Sequence, residues 1–165
     1  MPTNFERAFE ERPGVYAAWR GLVGAILENM ELRRYELATF AAAQRLRSTY
    51  CSIMHGNVLR DQVGEDIVAI VNDRGSALHE VDLAVMDLAE RVVVDATSIT
   101  QADLQRLRDL GLADAEIMDV VLAAAARCFF SKTLDALCVR PDASYGAMEP
   151  ELREVLVVGR AIADA

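Results

Sequence analysis

The stretch Asp114-Ala-Glu-Ile-Met-Asp-Val-Val-Leu-Ala-Ala-Ala-Ala-Arg-Cys-Phe-Phe-Ser-Lys-Thr-Leu-Asp-Ala-Leu137 runs without glycine or proline. It reads as one helix, about 36 Å long at about 1.5 Å per residue. Its middle, residues 120–126, is apolar all round, which predicts a helix enclosed by neighbouring helices or by another subunit. Arg140-Pro141-Asp142 stops it, and residues 151–162 form a last helix, a C-terminal arm.

The chain upstream has the same character. A short helix is expected over residues 4–11, and Pro13 stands at the first turn of a second that runs to about residue 28. A third covers residues 31–46. After Arg47-Ser48-Thr49 a fourth runs from Tyr50 to about Arg60. A short helix beyond Gly64 ends near Asp73-Arg74-Gly75, with the glycine as a left-handed cap. Leu78, Val81, Val85, Leu88 and Val92 then recur at spacings of three and four, the stripe of a core-facing helix. Thr100-Gln-Ala-Asp103 has the form of a capping box, and the helix it opens closes at Gly111. The expected fold is a single all-α domain over residues 1–165.

With 26 acidic against 17 basic side chains, the net charge of −9 argues against binding to a phosphate backbone. No apolar run approaches the roughly 20 residues that span a bilayer. The first residues lack the basic start and apolar stretch of a secretory signal, so a cytoplasmic protein with neither nucleic acid nor membrane as partner is expected. Three cysteines (51, 128 and 138) in such a chain argue against a disulfide framework, and no Cys-x-x-Cys zinc spacing occurs. Phosphate loops, dinucleotide fingerprints and nucleophile elbows are absent too, and no cofactor or metal is expected.

Chemistry concentrates between Glu36 and His55. Ser48 can cap the fourth helix, which puts Cys51 at its third position, where free N–H groups and the helix dipole favour a thiolate. His55 lies four residues on, over the same face, within reach to pair with the thiolate or to protonate a leaving group. Glu36 shares a stripe with Leu32, Phe40 and Ala43, so its carboxylate sits in an apolar face, placed to orient His55. Two plainer readings stay open: a structural cysteine beside a satisfied core histidine, and a helix-face Glu36 paired with Arg33 or Arg34.

Glu36, eleven residues, then Ser48-Thr-Tyr-Cys51-Ser-Ile-Met-His55 resembles the signature of the alkylhydroperoxidase D-like and carboxymuconolactone decarboxylase families. Their redox-active members show Glu, eleven residues, then Cys-x-x-Cys-x-x-x-His. Leu83-Ala-Val-Met-Asp-Leu-Ala-Glu-Arg, Ile99-Thr-Gln-Ala-Asp-Leu, Gly111-Leu-Ala-Asp-Ala-Glu-Ile and Phe129-Phe-Ser-Lys-Thr-Leu-Asp-Ala-Leu resemble the peroxidase-related branch, over about residues 15–140. The resemblance implies an all-helical fold, a homo-oligomer and thiol-dependent reduction of hydroperoxides. It matches Cys51 to the second cysteine, His55 to the histidine and Glu36 to the glutamate. Ser48 stands where the first cysteine would be, and Tyr50 where some members carry an extra histidine. Serine cannot close the disulfide of the two-cysteine cycle, so a small hydroperoxide substrate and an external thiol reductant become the expected partners. Ser48 or Tyr50 would hydrogen-bond a Cys51 sulfenic acid. The alternatives are a lyase or isomerase using Glu36 and His55 for proton transfer, and a non-catalytic helical oligomer.

The remaining candidates read as structure. Cys128 lies on the stripe Ile117, Val121, Ala124, Cys128 as core filling. Cys138 holds a helix-end position suited to glycine, and His79 a helix start at the surface. Met30, Met54, Met86 and Met118 are apolar filler, and Tyr16 and Trp19 belong to a core or interface.

Overall fold

The computed structural model describes residues 2–164, and among them there is no strand. Ten helices follow in chain order: α1 (Asn4–Ala8), α2 (Pro13–Leu27), α3 (Leu32–Arg45), α4 (Thr49–Val58), α5 (Ile67–Asn72), α6 (Arg74–Ala77), α7 (Glu80–Asp95), α8 (Gln101–Asp109), α9 (Asp114–Ala136) and α10 (Pro150–Leu156). A π-helical turn, Leu59–Val63, prolongs α4 and ends at Gly64, whose φ is +88°. None of the helices is long and apolar enough to cross a membrane among the described residues.

Helix α3 is the centre of the bundle. Its residues from Tyr35 to Ala43 are all buried, because α4, α7 and α9 pack around it. The alanines at 38, 41, 42 and 43 let these helices approach closely, and Leu37, Phe40, Ile53, Val85, Met86 and Val120 fill the space between. Leu32 departs from its expected stripe: it lies on the first turn of α3, 41% exposed, while Glu36, Phe40 and Ala43 point inward.

Local chemistry sets the helix ends. The Thr100–Asp103 capping box forms in both directions at the start of α8. At its end Gly111, at φ +97°, donates to Arg108 O while Leu112 donates to Leu107 O, the paired bonds of a Schellman cap. The same pair of bonds closes α3, with Arg47 at φ 56°, and α9, with Cys138 at φ 60°. Cys138 therefore does occupy a position suited to glycine.

Two expectations about the elements need correction. Gly75 is not a cap: Asp73 ends α5 outside the helical region, at φ −147° and ψ 71°, and its carboxylate then accepts from Ser76 N to start α6. The last helix stops at Leu156 instead of Ile162. There the chain straightens to lie across the α3–α4 link. In the middle of α9, Val120, Ala123, Ala124 and Ala126 are buried by neighbouring helices, while Leu122 and Ala125 face outward with Met118 and Phe129.

Candidate active site

The turn between α3 and α4 builds the site. Ser48, the second residue of the α3 Schellman cap, is also the N-cap of α4, so one turn both reverses the chain and starts the next helix. Cys51 comes third in α4, as its spacing requires. Ser48 takes the N-cap backbone position without the expected side-chain bond, and its Oγ is buried and unpartnered. The C-terminal segment holds the turn from outside. Arg47 Nε donates to Val158 O at 3.0 Å, and Gly159 N donates to Thr49 Oγ1 at 2.9 Å.

Glu36 and His55 meet. Nδ1 of His55 lies 2.6 Å from Glu36 Oε2 and 3.1 Å from Thr39 Oγ1. The Thr39 hydroxyl donates to the Tyr35 carbonyl at 2.8 Å, so it faces His55 as an acceptor. Two acceptors at Nδ1 place the proton there and leave the lone pair on Nε2. That Nε2 is buried and has no hydrogen-bond partner. Burial, followed by the charge of Arg127, holds His55 below the ordinary histidine value despite the opposing pull of Glu36. The imidazole is thus a neutral base at neutral pH. Glu36 does not pair with the neighbouring arginines: Arg33 binds Asp82 and Glu65, and Arg34 binds Glu116.

Cys51 is fully buried, packed with Ala43, Tyr50, Phe130, Leu134 and Phe9. Its sulfur is paired by Arg127 of α9, whose Nη1 donates to Sγ at 3.5 Å, and not by His55 as the sequence spacing suggested. The guanidinium carbon stands 5.6 Å from the Trp19 ring centroid and 5.4 Å from that of Phe130. Tyr35 adjoins the same guanidinium, and its ring meets that of His55 edge-on at 6.2 Å. Burial works against the Arg127 charge, but Cys51 and Tyr35 outweigh it and hold its pKa above the ordinary value. Arg127 escaped the sequence reading, as did Thr39. The available signal was a single cation inside the apolar run from Val120 to Phe130.

Tyr50 faces away from the role expected of it. Its hydroxyl bonds the Asp142 carboxylate and accepts from Phe5 N at 3.4 Å. It therefore ties α1 down over the site and is not free to bond a sulfenic acid. Cys128 is partly buried against the core, Cys138 is exposed and His79 sits exposed at the N-cap of α7. Two surface cavities stand out among the described residues. One, of about 460 Å³, lies between α7 and α8; the other, of about 440 Å³, is lined by Gly14, Val15, Ala18, Trp19, Leu22 and Phe129. Cys51 and His55 line neither of them, and both side chains are buried. Among the described residues no group of three or more His, Cys, Asp and Glu side chains is placed to hold a metal ion.

No protein-family model matches the sequence, and no curated protein matches it. Solved structures do. An uncharacterized peroxidase-related protein from Silicibacter sp. TM1040 superposes with a TM-score of 0.79 at 20% identity, covering 90% of this chain and 81% of its own. An uncharacterized peroxidase-related protein from Ralstonia eutropha JMP134, described as an alkylhydroperoxidase AhpD core, gives 0.77 at 20% identity, with 95% and 82% covered. With its helices in the same arrangement over nine-tenths of its length, this chain has the alkylhydroperoxidase D-like fold.

Proposed function

We propose that the protein is a thiol-dependent peroxidase that reduces small hydroperoxides with Cys51 as its one reactive cysteine. The observation that carries this reading is the convergence of three groups on one buried region: a sulfur, a cation bonded to it and a carboxylate-oriented imidazole with a free nitrogen. The Cys51 thiol proton passes to Nε2 of His55. Since Nε2 has no bonded partner, that path runs through the bound peroxide or a water. The thiolate attacks the outer peroxide oxygen, the O–O bond breaks, and the departing alkoxide takes the proton back from Nε2 as an alcohol. Cys51 is left as a sulfenic acid. An external thiol then displaces water from it to form a mixed disulfide. A second thiol releases Cys51 and leaves as a disulfide with the first. Glu36 holds the imidazole in the tautomer this requires and stabilises the imidazolium that forms.

Mass spectrometry of the intact protein after limiting peroxide tests this. One added oxygen, mapped to Cys51 and removed by an external thiol, is expected. Oxidation at Cys128 or Cys138 with Cys51 untouched rejects it. Cys51→Ser is expected to abolish peroxide consumption.

The same region supports a second reading. A buried guanidinium with an unpartnered Nε beside a free imidazole nitrogen also suits a small carboxylate substrate, as a decarboxylase-type lyase or isomerase would need. Such an enzyme survives Cys51→Ser and loses its activity in Glu36→Gln. Either reading carries a homo-oligomer with it, supported by the exposed apolar residues along α2 and α9.

A further inference from the structure

We infer that Arg127 is the counter-charge of the Cys51 thiolate, the group that makes a wholly buried sulfur nucleophilic. The inference deepens the thiol reading above and rests on it. Arg127 is 3% exposed and has no carboxylate partner among the described residues; its Nη1 donates to Sγ, and Tyr35 adjoins the same guanidinium. A buried cation without an anion is costly, and among the described residues no carboxylate bonds this guanidinium. Of the two acidic groups beside the guanidinium, burial holds the Tyr35 hydroxyl protonated, and Cys51 is the one left to balance the charge. Trp19 and Phe130 fix the guanidinium from two sides while adding no acceptor that competes with the sulfur. Arg127, seventy-six residues along the chain, supplies charge alone; with serine at 48 no second thiol shares the site, so an external thiol still has to resolve the sulfenic acid.

The test uses the full chain with Cys128→Ser and Cys138→Ser, so that Cys51 is its only thiol. Methyl methanethiosulfonate, small and uncharged, is the probe, and labelling is followed against pH. Removing the charge with Arg127→Met is expected to slow labelling at pH 7 about tenfold and move the profile to higher pH. Arg127→Lys, which keeps a charge but loses the planar fork, is expected to recover part of the rate. A folded Arg127→Met protein with the parent's profile overturns the inference, because a merely structural arginine changes thermal stability and not the labelling profile. Should Arg127→Met fail to fold, Arg127→Lys decides: labelling at pH 7 slower than the parent's supports the assignment, and the parent's rate and profile unchanged overturn it. Labelling consumes no peroxide, so its outcome stands apart from the activity. An arginine-dependent profile without turnover keeps the thiolate pair and rejects the peroxidase. Turnover without arginine dependence does the reverse.

Discussion

His55 stands between a carboxylate that favours its protonation and a burial and a cation that oppose it, and opposition prevails. Its folded pKa lies below the unfolded value near 6.5, so the unfolded chain takes up a proton first as pH falls. The stability due to the neutral imidazole is complete above about pH 6.5. It is lost as pH drops from there toward the folded pKa, at no more than about 1.4 kcal/mol per pH unit. Denaturant midpoints between about pH 7 and 5.5 should therefore fall more steeply for the parent than for His55→Gln, which has nothing to titrate at that position. Equal slopes would show that His55 is no more buried in the folded protein than in the unfolded one. Glu36, Cys51 and His55 were legible because helical period alone puts them on inward faces of two successive helices. Arg127 was not, since only the packing of α9 against α4 brings it to the sulfur. Tyr50 was misread for the same reason: its partner, Asp142, lies ninety-two residues away and no local spacing announces it.

Two terminal segments, at the scale of the element, position the helix that carries Cys51. The C-terminal chain lies so close to the α3–α4 turn that a Cβ on Gly159 would come 1.9 Å from the Arg47 carbonyl oxygen. That atom is backbone, held in a left-handed turn, and cannot yield. Gly159→Ala should detach the strap, cost about 2–4 kcal/mol and lower the thermal midpoint by several degrees. An unchanged midpoint would mean that residues 157–162 contribute nothing to holding the turn. The N-terminal cover is lighter. Helix α1 buries none of its five residues; it is held by the Tyr50 hydroxyl, by Asn4 N on Asp142 at 2.9 Å and by Asn4 Nδ2 on the Arg140 carbonyl at 3.0 Å, with Phe9 packed below. Tyr50→Phe removes one anchor and leaves the ring. It should speed alkylation of Cys51 severalfold and raise amide exchange over residues 4–9, while an unaltered alkylation rate would show that access runs elsewhere. Helix existence was readable throughout, because stripes and caps are local. The short, extended tail after Leu156 was not, because Val155 to Val158 continue the apolar pattern and only the close approach at Gly159 ends the helix.

The whole molecule carries a conflict between its charge and its surface. A net charge of −9 keeps copies apart, yet α2 has one charged residue, Arg20, and one buried residue, Ile26. Val15, Leu22 and Leu27 are 45%, 49% and 36% exposed on it, and Met118, Leu122 and Phe129 follow at spacings of four and seven on the outer face of α9. The cavity of about 440 Å³ between the two helices is walled by Trp19 and Phe129, and the same face offers Met118 and Leu122 as protruding side chains to fill it. An apolar face with both a hollow and knobs, on a chain otherwise rich in carboxylates, is suited to a second copy of itself. A second copy seated there would cover the outer side of residues 120–126, whose inner side the neighbouring helices already bury. Light scattering at micromolar concentration should give at least twice the 18.1 kDa of the chain, and Leu22→Glu or Phe129→Glu should return it to the monomer. Burying one carboxylate in such a contact costs several kcal/mol, more than a hundredfold in association. The consequence reaches the site, since Trp19 is both a wall of the hollow and one of the two rings that fix Arg127. The monomeric variants should therefore label Cys51 more slowly at pH 7 than the assembled protein. A parent that already runs at 18.1 kDa removes the second subunit, and a monomeric variant with the parent's labelling rate separates assembly from the chemistry of the thiol.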